Sequence, residues 1–247
     1  MVEILPRNHY RVIVLVLASS TDPVYLKFRD IWYTYLDLYH NIKVYLVYGN
    51  TNISPNSNDL IYNDIAETYY PGMITKTLRA IKYINDTYTY DFLLRTNLST
   101  FWDFDLLLSR LDKLDTNSIT GTIRKCKYKG IESPNYISGV NLIIPHNLVN
   151  ILVDNMELIK SWNLPEDWSL SKIYIDLGIP LKPSIPGCIH FMERFTECNM
   201  EQVLHEINIA KQMQHDHFRI KNKYDRLLLD PYIMNVLLTQ YYGEKIL

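Results

Sequence analysis

The sequence predicts an α/β fold in which a mixed, mostly parallel sheet is flanked by helices, with a helical part at the C-terminus. Two continuous aliphatic runs, residues 11–18 and 43–48, are typical of strands buried on both faces. Between them, residues 25–39 carry apolar side chains at helical spacing. A strand, a helix and a strand of these lengths form a βαβ unit, which makes the two strands parallel.

The rest of the chain continues the alternation of helices and strands. Residues 199–202 have the spacing of a capping box, which predicts the start of a helix. Pro231 suits the first position of the last helix. The predicted helices span residues 75–84, 104–114, 147–158, 169–177, 199–214 and 230–242, and the predicted strands span 90–95 and 136–144.

No repeat, low-complexity run or linker-like segment interrupts the 247 residues. We therefore expect residues 1–247 to form a single domain, with residues 190–247 as its helical C-terminal extension. Ligands of open α/β sheets bind outside the carboxyl ends of the strands. The chemistry is thus expected near residues 19–22 and 95–99.

Composition excludes several classes of protein. An apolar fraction of 47% excludes a disordered chain, and the longest apolar run, residues 12–18, is too short to span a membrane. The 25 basic and 27 acidic side chains give a net charge of −2. Proteins that bind nucleic acids usually carry an excess of basic side chains, so this class is not expected. Three cysteines, at positions 126, 188 and 198, suggest free thiols, and no signal peptide is recognisable, so we expect a cytoplasmic protein.

Several common motifs are missing. The sequence has no G-x-G-x-x-G after its first strand, no phosphate-binding P-loop and no G-x-S-x-G elbow. These gaps argue against an ordinary dinucleotide enzyme, a P-loop enzyme and a hydrolase of the serine type.

A series of short motifs instead resembles the GT-A glycosyltransferases, most of all the β-1,3-galactosyltransferase and fringe group. In that group a helix with an L-K-T-like stretch precedes a strand that ends in D-x-D, and residues 75–77 and 90–101 are similar to these. Further matches follow the order of the family: Phe28-Arg-Asp-Ile-Trp32, Pro134-Asn-Tyr-Ile-Ser-Gly-Val-Asn141 and Pro165-Glu-Asp-Trp168. The resemblance covers roughly residues 11–190 and extends the predicted fold to a GT-A-like one.

The resemblance implies transfer of a hexose, with inversion, from a nucleotide-diphosphate sugar to a carbohydrate hydroxyl. It puts Asp167 in the role of general base, beside Glu166. An adjacent pair of carboxylates at a helix start also complements the helix dipole, so a purely structural role is the alternative. Trp168 and Gly139 are the residues expected to contact the acceptor.

At the D-x-D position this sequence has Arg95-Thr96-Asn97, without a carboxylate. The family holds Mn²⁺ or Mg²⁺ there, so tight metal binding is doubtful. Arg95 offers a guanidinium that matches phosphate oxygens and takes over charge neutralisation. The alternative for Arg95 is a surface ion pair with Asp91 or Asp103.

The remaining site residues are carried over position by position from the resemblance. Ser19, Arg29 and Lys76, with Arg95, Thr96 and Asn97, are expected to bind the donor, a UDP-sugar by preference. His190, and His217 together with Arg219 and Lys221, are candidates, with Asn97, for a metal or diphosphate contact. For each histidine, a place in the core is the alternative.

Two other classes of function stay open. One is a catalytically degenerate GT-A-like module that binds a nucleotide sugar or glycan without turnover, as the loss of D-x-D suggests. The other is a structural α/β protein that assembles through a tyrosine-rich surface. Without a membrane anchor, an enzyme of a large virus or a microbe is the expectation.

Overall fold

The computed structural model describes residues 9–184 and 189–246. The strands, in chain order, are β1 (His9–Leu17), β2 (Ile42–Tyr48), β3 (Asp59–Ile61), β4 (Thr89–Asn97), β5 (Thr100–Trp102), β6 (Ile119–Gly121), β7 (Ile123–Arg124), β8 (Lys127–Tyr128), β9 (Ile131–Glu132), β10 (Tyr136–Ile137), β11 (Leu142–Pro145), β12 (Leu181–Pro183), β13 (Ile189–Met192) and β14 (His217–Ile220). The helices are α1 (Pro23–Tyr35), α2 (Gly72–Thr87), α3 (Phe104–Leu111), α4 (His146–Asp154), α5 (Met156–Ser161), α6 (Glu166–Asp176), α7 (Met200–Gln212) and α8 (Arg226–Ile246).

The central sheet has seven strands in the order β12-β6-β11-β4-β1-β2-β3. Strands β3, β2, β1 and β4 are parallel neighbours. Strand β11 runs antiparallel between β4 and β6, and β12 pairs parallel with β6. The mostly parallel sheet flanked by helices confirms the predicted fold class.

Strand β1 explains why its sequence is apolar at every position. Successive side chains of a strand point to opposite faces of the sheet. Val12, Val14 and Val16 pack in one core cluster with α1 and α8, whereas Ile13 and Leu15 pack in a second cluster with α2, α4 and α6. Helices cover both faces, so both sets of side chains are removed from water.

A second, three-stranded sheet joins the C-terminal part of the chain to β5, the short strand that follows β4. Strand β14 pairs antiparallel with β5 and parallel with β13. The C-terminal part was predicted to be helical. Helices α7 and α8 lie within this part, as predicted, together with two strands that were not predicted, β13 and β14.

Three helix starts are stabilised by side-chain caps, of which the sequence analysis predicted the one at residue 199. The Asp22 carboxylate accepts a hydrogen bond from the N–H of Val24 at 3.0 Å, and Pro23 occupies the first turn. Asp103 caps α3 in the same way. Asn199 accepts from the N–H of Gln202 at 3.0 Å, which confirms the predicted cap of α7. Such caps satisfy backbone donors that have no partner within the helix.

The prediction for the last helix was wrong at its start. Helix α8 begins at Arg226, and Pro231 lies inside it. A proline has no N–H for the carbonyl four residues earlier. That carbonyl, on Leu227, accepts a hydrogen bond from Lys27 Nζ at 3.1 Å instead. The partner comes from α1, so no local pattern announces it.

The predicted strand 136–144 is also corrected. It is interrupted at residues 138–141, so that β10 pairs with β7 in a small separate sheet while β11 joins the central sheet. The interruption contains Gly139, which approaches the side chain of Arg95 from β4.

None of the described helices is long and apolar enough to cross a membrane. Cys126 and Cys198 are free thiols. Cys188, the third predicted free thiol, lies outside the described residues.

Candidate active site

The direction of the connections changes between β1 and β4. From β1 the chain moves through α1 to β2 and β3 on one side, then returns through α2 to β4 on the other. The connections that leave the carboxyl ends of two such strands run in opposite directions. The crevice between these connections is the usual ligand site of an open α/β sheet. Ser19 follows β1, and Asn97 ends β4. The predicted region of chemistry therefore lies at the switch point of the sheet.

A buried ion pair lies beside this crevice. Arg95 Nε donates to Glu166 Oε1 at 3.0 Å, and Arg95 Nη2 donates to Glu166 Oε2 at 2.7 Å. Both side chains are almost fully buried, at 3% and 2% exposure. Neither Asp91 nor Asp103 is the partner, so the predicted surface ion pair is wrong. The two-pronged contact links the end of β4 to the start of α6.

Burial and charge act in opposite directions on Glu166. Loss of water raises the pKa of the Glu166 carboxyl, and the Arg95 guanidinium partly offsets this. The nearby carboxylate of Asp167 raises the pKa further. Since both Glu166 oxygens already accept from Arg95, the carboxylate is held rigidly and faces the protein interior.

The peptide at Gly139 connects this pair to Asp167. Its carbonyl accepts a hydrogen bond from Arg95 Nη1, and its N–H donates to Asp167 Oδ2 at 3.1 Å. A Cβ atom at position 139 would lie 2.5 Å from Arg95 Cζ, closer than real atoms approach. Glycine is therefore required here by the close passage of the guanidinium.

Asp167 is the carboxylate that remains partly exposed. Its second oxygen, Oδ1, accepts from the N–H of Trp168 at 3.0 Å. Each carboxylate oxygen has a further lone pair. Asp167 is thus fixed in orientation by two backbone donors and keeps acceptor capacity toward solvent, as a general base needs.

The other residues at the D-x-D position differ in exposure. Thr96 is buried, accepts from Trp102 Nε1 at 3.0 Å and donates to the Val140 carbonyl at 2.6 Å. Asn97 is partly exposed, and its Oδ1 accepts from Arg95 Nη1 at 2.9 Å. Asn97 is consequently the one side chain of this triplet that reaches the crevice.

Lys76 forms a second buried ion pair at the same edge of the sheet. Its Nζ donates to Glu67 Oε1 and Oε2 at 2.9 and 2.8 Å and to the Ala18 carbonyl at 2.7 Å. Glu67 also accepts from the Gly49 N–H. Burial lowers the pKa of Lys76 although Glu67 opposes the shift. All three ammonium donors are in use, so Lys76 joins the ends of β1 and β2 rather than projecting into the crevice.

Ser19 lies in the turn between β1 and α1, and Arg29 lies within α1. The Ser19 hydroxyl is 2.9 Å from that of Thr21, in the turn directly after β1. Arg29 lies along α1, where Nε and Nη2 donate to Asp30 Oδ1 at 3.1 and 3.0 Å and the guanidinium covers the Tyr33 ring. Ser19 borders the crevice, and Arg29 is engaged on the helix.

The two candidate metal-binding histidines are committed to other partners. His190 Nε2 lies 2.7 Å from Glu206 Oε2, and its Nδ1 lies 3.2 Å from Nδ1 of His215. His217 is fully buried, stacks on Trp102 and pairs with Asp216 at 2.6 Å. Within residues 9–184 and 189–246, no three His, Cys, Asp or Glu side chains are grouped to hold a metal ion.

The donor set at Asn97 also fits a divalent ion poorly. Its carbonyl oxygen already accepts from a guanidinium, and no carboxylate stands beside it in the triplet. Mn²⁺ and Mg²⁺ prefer anionic oxygen ligands. The described residues at this edge therefore do not fit either ion.

Trp168 cannot stack on a sugar in this arrangement, because it is 3% exposed and belongs to the core. An aromatic side chain that sequence reasoning overlooked is better placed. Tyr69 is 57% exposed, and its pKa is raised to about 12 by burial of its hydroxyl and by the charges of Asp167 and Glu166. Its ring lies 6.4 Å from that of Tyr128.

Arg219 on β14 has a partner that the sequence did not indicate. Its guanidinium donates to the hydroxyl of Ser99, in the turn between β4 and β5. Sequence reasoning named Arg219 only beside His217, in a candidate metal or diphosphate contact. The pairing of β14 with β5, which places Arg219 opposite Thr100, is a long-range contact without a local signal.

No protein-family model matches the sequence, and no curated protein matches it. Solved structures do match. A glycosyltransferase involved in the glycosylation of the major capsid of PBCV-1 is similar with a TM-score of 0.51 at 10% identity, over 90% of this chain and 98% of that chain. Glycosyltransferase GlyE of Streptococcus pneumoniae TIGR4 gives 0.49 at 13% identity, over 96% of this chain and 64% of that chain. Galactosyltransferase LgtC gives 0.49 at 12% identity, over 95% and 99%.

This chain therefore spans less than two thirds of the GlyE chain that it matches. The likeness to the PBCV-1 enzyme concerns the fold, and it extends over nearly the whole of both chains. Together with the strand order and the crevice at the switch point, it shows that this chain has the mixed α/β fold of GT-A glycosyltransferases.

Proposed function

We propose that this protein is an inverting glycosyltransferase, which moves a hexose from a nucleotide-diphosphate sugar to a carbohydrate hydroxyl. The observation that carries the proposal is the setting of Asp167. Its carboxylate is oriented by the N–H groups of Gly139 and Trp168 and is partly exposed beside the switch-point crevice. A GT-A-type fold supplies the frame for such a site.

In the proposed reaction, the oxygen of the acceptor hydroxyl attacks the anomeric carbon of the donor. Asp167 accepts the proton of that hydroxyl as the new bond forms. The bond from that carbon to the diphosphate oxygen breaks, and the nucleoside diphosphate leaves. Attack opposite the leaving group inverts the anomeric configuration. A positioned base contributes typically 10²–10⁴-fold to such a step.

Arg95 and Glu166 serve as positioning residues in this proposal. Both are buried, and neither side chain has a free face toward the crevice. Through the Gly139 peptide they fix the backbone N–H that orients Asp167. The ion pair thus supports the base without touching substrate.

Tyr69 is our candidate for the acceptor contact. It is exposed, and its hydroxyl is within the electrostatic reach of Asp167. Aromatic rings combine an apolar face, which suits the C–H surface of a sugar ring, with a polar tip. Tyr69 takes the role that the sequence analysis expected for Trp168.

The identity of the donor rests on the sequence resemblance. The proposed donor is a UDP-sugar, and the proposed relatives are the β-1,3-galactosyltransferase and fringe group. The proposal also includes a single domain over residues 1–247, a cytoplasmic location and an origin in a large virus or microbe. Ser19 and Asn97 border the crevice and are our candidates among the predicted donor-binding residues.

The test is replacement of Asp167 by Asn, which keeps the side-chain volume and removes the base. With a panel of nucleotide sugars and oligosaccharide acceptors, we expect the kcat of transfer to fall 10²–10⁴-fold. Asp154→Asn, which changes an exposed carboxylate on α4, is the matched control and should transfer normally. Undiminished transfer by Asp167→Asn, or retention of the anomeric configuration by NMR, would refute the mechanism.

A second candidate function is a GT-A-like module that binds a nucleotide sugar or glycan without turnover. It is favoured by the Arg95-Thr96-Asn97 triplet, whose polar groups are largely bonded to each other and to the backbone. Saturable binding of a nucleotide sugar by the wild type, with no release of nucleotide in the presence of any acceptor, would favour this module over the enzyme.

A further inference from the structure

The turn that follows β4 is held by hydrogen bonds from α1 and β14. This turn consists of residues 97–99. Trp32 Nε1 donates to the Leu98 carbonyl at 2.9 Å, and the Ile220 N–H donates to the Ser99 carbonyl at 2.9 Å. The Ser99 hydroxyl accepts from Arg219. The turn therefore holds Arg219 at the carboxyl end of β4, where ligands of this fold bind.

The charges of Arg95 and Arg226 act on Arg219, and the three guanidinium groups differ in their partners. Arg95 is neutralised by Glu166. Arg226 is neutralised by Asp230, 2.9 Å from its Nε. Among the described residues, Arg219 alone of the three has no carboxylate in contact, and Glu193 acts on it only at longer range.

The Arg219 side chain is half-buried, and its one described hydrogen bond, to Ser99, engages one terminal nitrogen. Its remaining N–H donors keep the forked geometry that matches two oxygens of a phosphate. Burial lowers the pKa of Arg219, but an arginine stays charged at neutral pH. A partly desolvated cation with spare donors is stabilised by a bound anion.

We propose that Arg219, held by Ser99, forms an anion subsite that binds the diphosphate of the donor. The inference deepens the proposed function and rests on it for the identity of the ligand. In this subsite a fixed guanidinium on β14 provides the positive charge next to the leaving diphosphate, while Arg95 stays in its ion pair. The residues needed for nucleotide binding thus come from the end of β4 and from β14.

The subsite is tested by titration calorimetry in EDTA with three probes: inorganic pyrophosphate, UDP and uridine. Hydrogen bonds to a charged group contribute about 1.5–3 kcal/mol, which corresponds to roughly 10–150-fold in Kd. We expect Arg219→Gln to weaken pyrophosphate and UDP by at least tenfold. Arg219→Lys should retain part of the affinity, because it keeps the charge and loses the fork.

The matched control is Arg79→Gln, which removes an exposed arginine of α2 that pairs with Asp64. It should bind all three probes as the wild type does. Ser99→Ala, which keeps the guanidinium and removes its anchor, should weaken pyrophosphate less than Arg219→Gln does. This milder variant keeps the test informative if Arg219→Gln does not fold.

The outcomes separate the subsite from the proposed function. Pyrophosphate affinity unchanged in both Arg219→Gln and Ser99→Ala, or no binding of pyrophosphate by the wild type, overturns the subsite. If UDP nevertheless binds and transfer proceeds, the proposed function stands without it. If pyrophosphate binding depends on Arg219 but UDP binds no more tightly than pyrophosphate and no sugar is transferred, the subsite stands and the glycosyltransferase proposal fails.

Discussion

Arg95 and Asp167 are joined through one peptide: the Gly139 carbonyl accepts from Arg95 Nη1, and the Gly139 N–H donates to Asp167 Oδ2 at 3.1 Å. A residue of β4 and a residue of α6 are thereby held by the same interruption between β10 and β11. The orientation of the proposed base then depends on a guanidinium that it does not touch.

The first prediction concerns this glycine. Gly139→Ala should destabilise the fold by about 1–3 kcal/mol, because the new Cβ would lie 2.5 Å from Arg95 Cζ and one of them must shift. Urea unfolding measures the change. Gly243→Ala is the control: its Cβ would meet only Thr239 Cγ2 at 3.7 Å, and alanine favours a helix by up to about 1 kcal/mol. A Gly139→Ala protein as stable as the wild type would show that the close passage is not real.

The second prediction concerns the buried ion pair. Glu166→Leu removes the partner of a buried guanidinium, which typically costs about 3–5 kcal/mol of unfolding free energy. The double variant Arg95→Met, Glu166→Leu replaces both charges by apolar groups and should recover most of that loss. Its transfer activity should stay low, since Gly139 loses a partner. Strictly additive losses in a double-mutant cycle would contradict a direct interaction.

The main strands could be predicted because helices cover both faces of the sheet. A strand in that position is apolar throughout, and residues 43–48 correspond closely to Ile42–Tyr48. The same rule fails at residues 136–144, where apolar residues flank Ser138, Gly139 and Asn141 and the strand is interrupted. Gly139 and Asn141 are local signals for an interruption, and Arg95, 44 positions earlier in the sequence, contacts the peptide at Gly139.

The candidate site was predictable where the signal is a residue type at a strand end, as for Asn97 and Ser19. It was not predictable where the partner is distant. A lone arginine in a motif indicates a charge, but its burial against Glu166 emerges only when α6 packs beside β4. Arg219 contacts Ser99 across 120 positions through β14, a strand of four residues that is too short for a periodic pattern.

The third prediction concerns the acceptor. Tyr69→Ala should raise the KM for the acceptor about tenfold and change the KM for the donor much less, because Tyr69 is exposed and the charge of Asp167, the proposed base, acts on its hydroxyl. Tyr83→Ala, which removes another exposed tyrosine, on α2, serves as control. Equal acceptor KM values for Tyr69→Ala and the wild type would remove Tyr69 from the site.

The last prediction concerns the stability of the fold in mild acid. Burial, and then the charges of His190 and His217, lower the pKa of His215 below 6.5. Asp216 opposes this shift, and Arg110 adds to it. The folded state therefore binds fewer protons at this ring than the unfolded state does. The contribution of the neutral His215 ring to the free energy of unfolding is fully present above pH 6.5. It falls as the pH drops below that value toward the lowered pKa.

Urea midpoints at pH 7.5 and pH 5.5 measure this dependence. Replacing His215 by Asn removes the titrating ring, so the loss of stability between the two pH values should be smaller than in the wild type. Some loss should remain, because burial also lowers the pKa of His146. His40→Asn, which alters an exposed histidine, should reproduce the wild-type difference. If the loss of stability between pH 7.5 and pH 5.5 is equal or larger in His215→Asn, protonation of His215 does not destabilise the folded state. The attraction of the protonated ring to its carboxylate neighbour would then offset the cost of burying its charge.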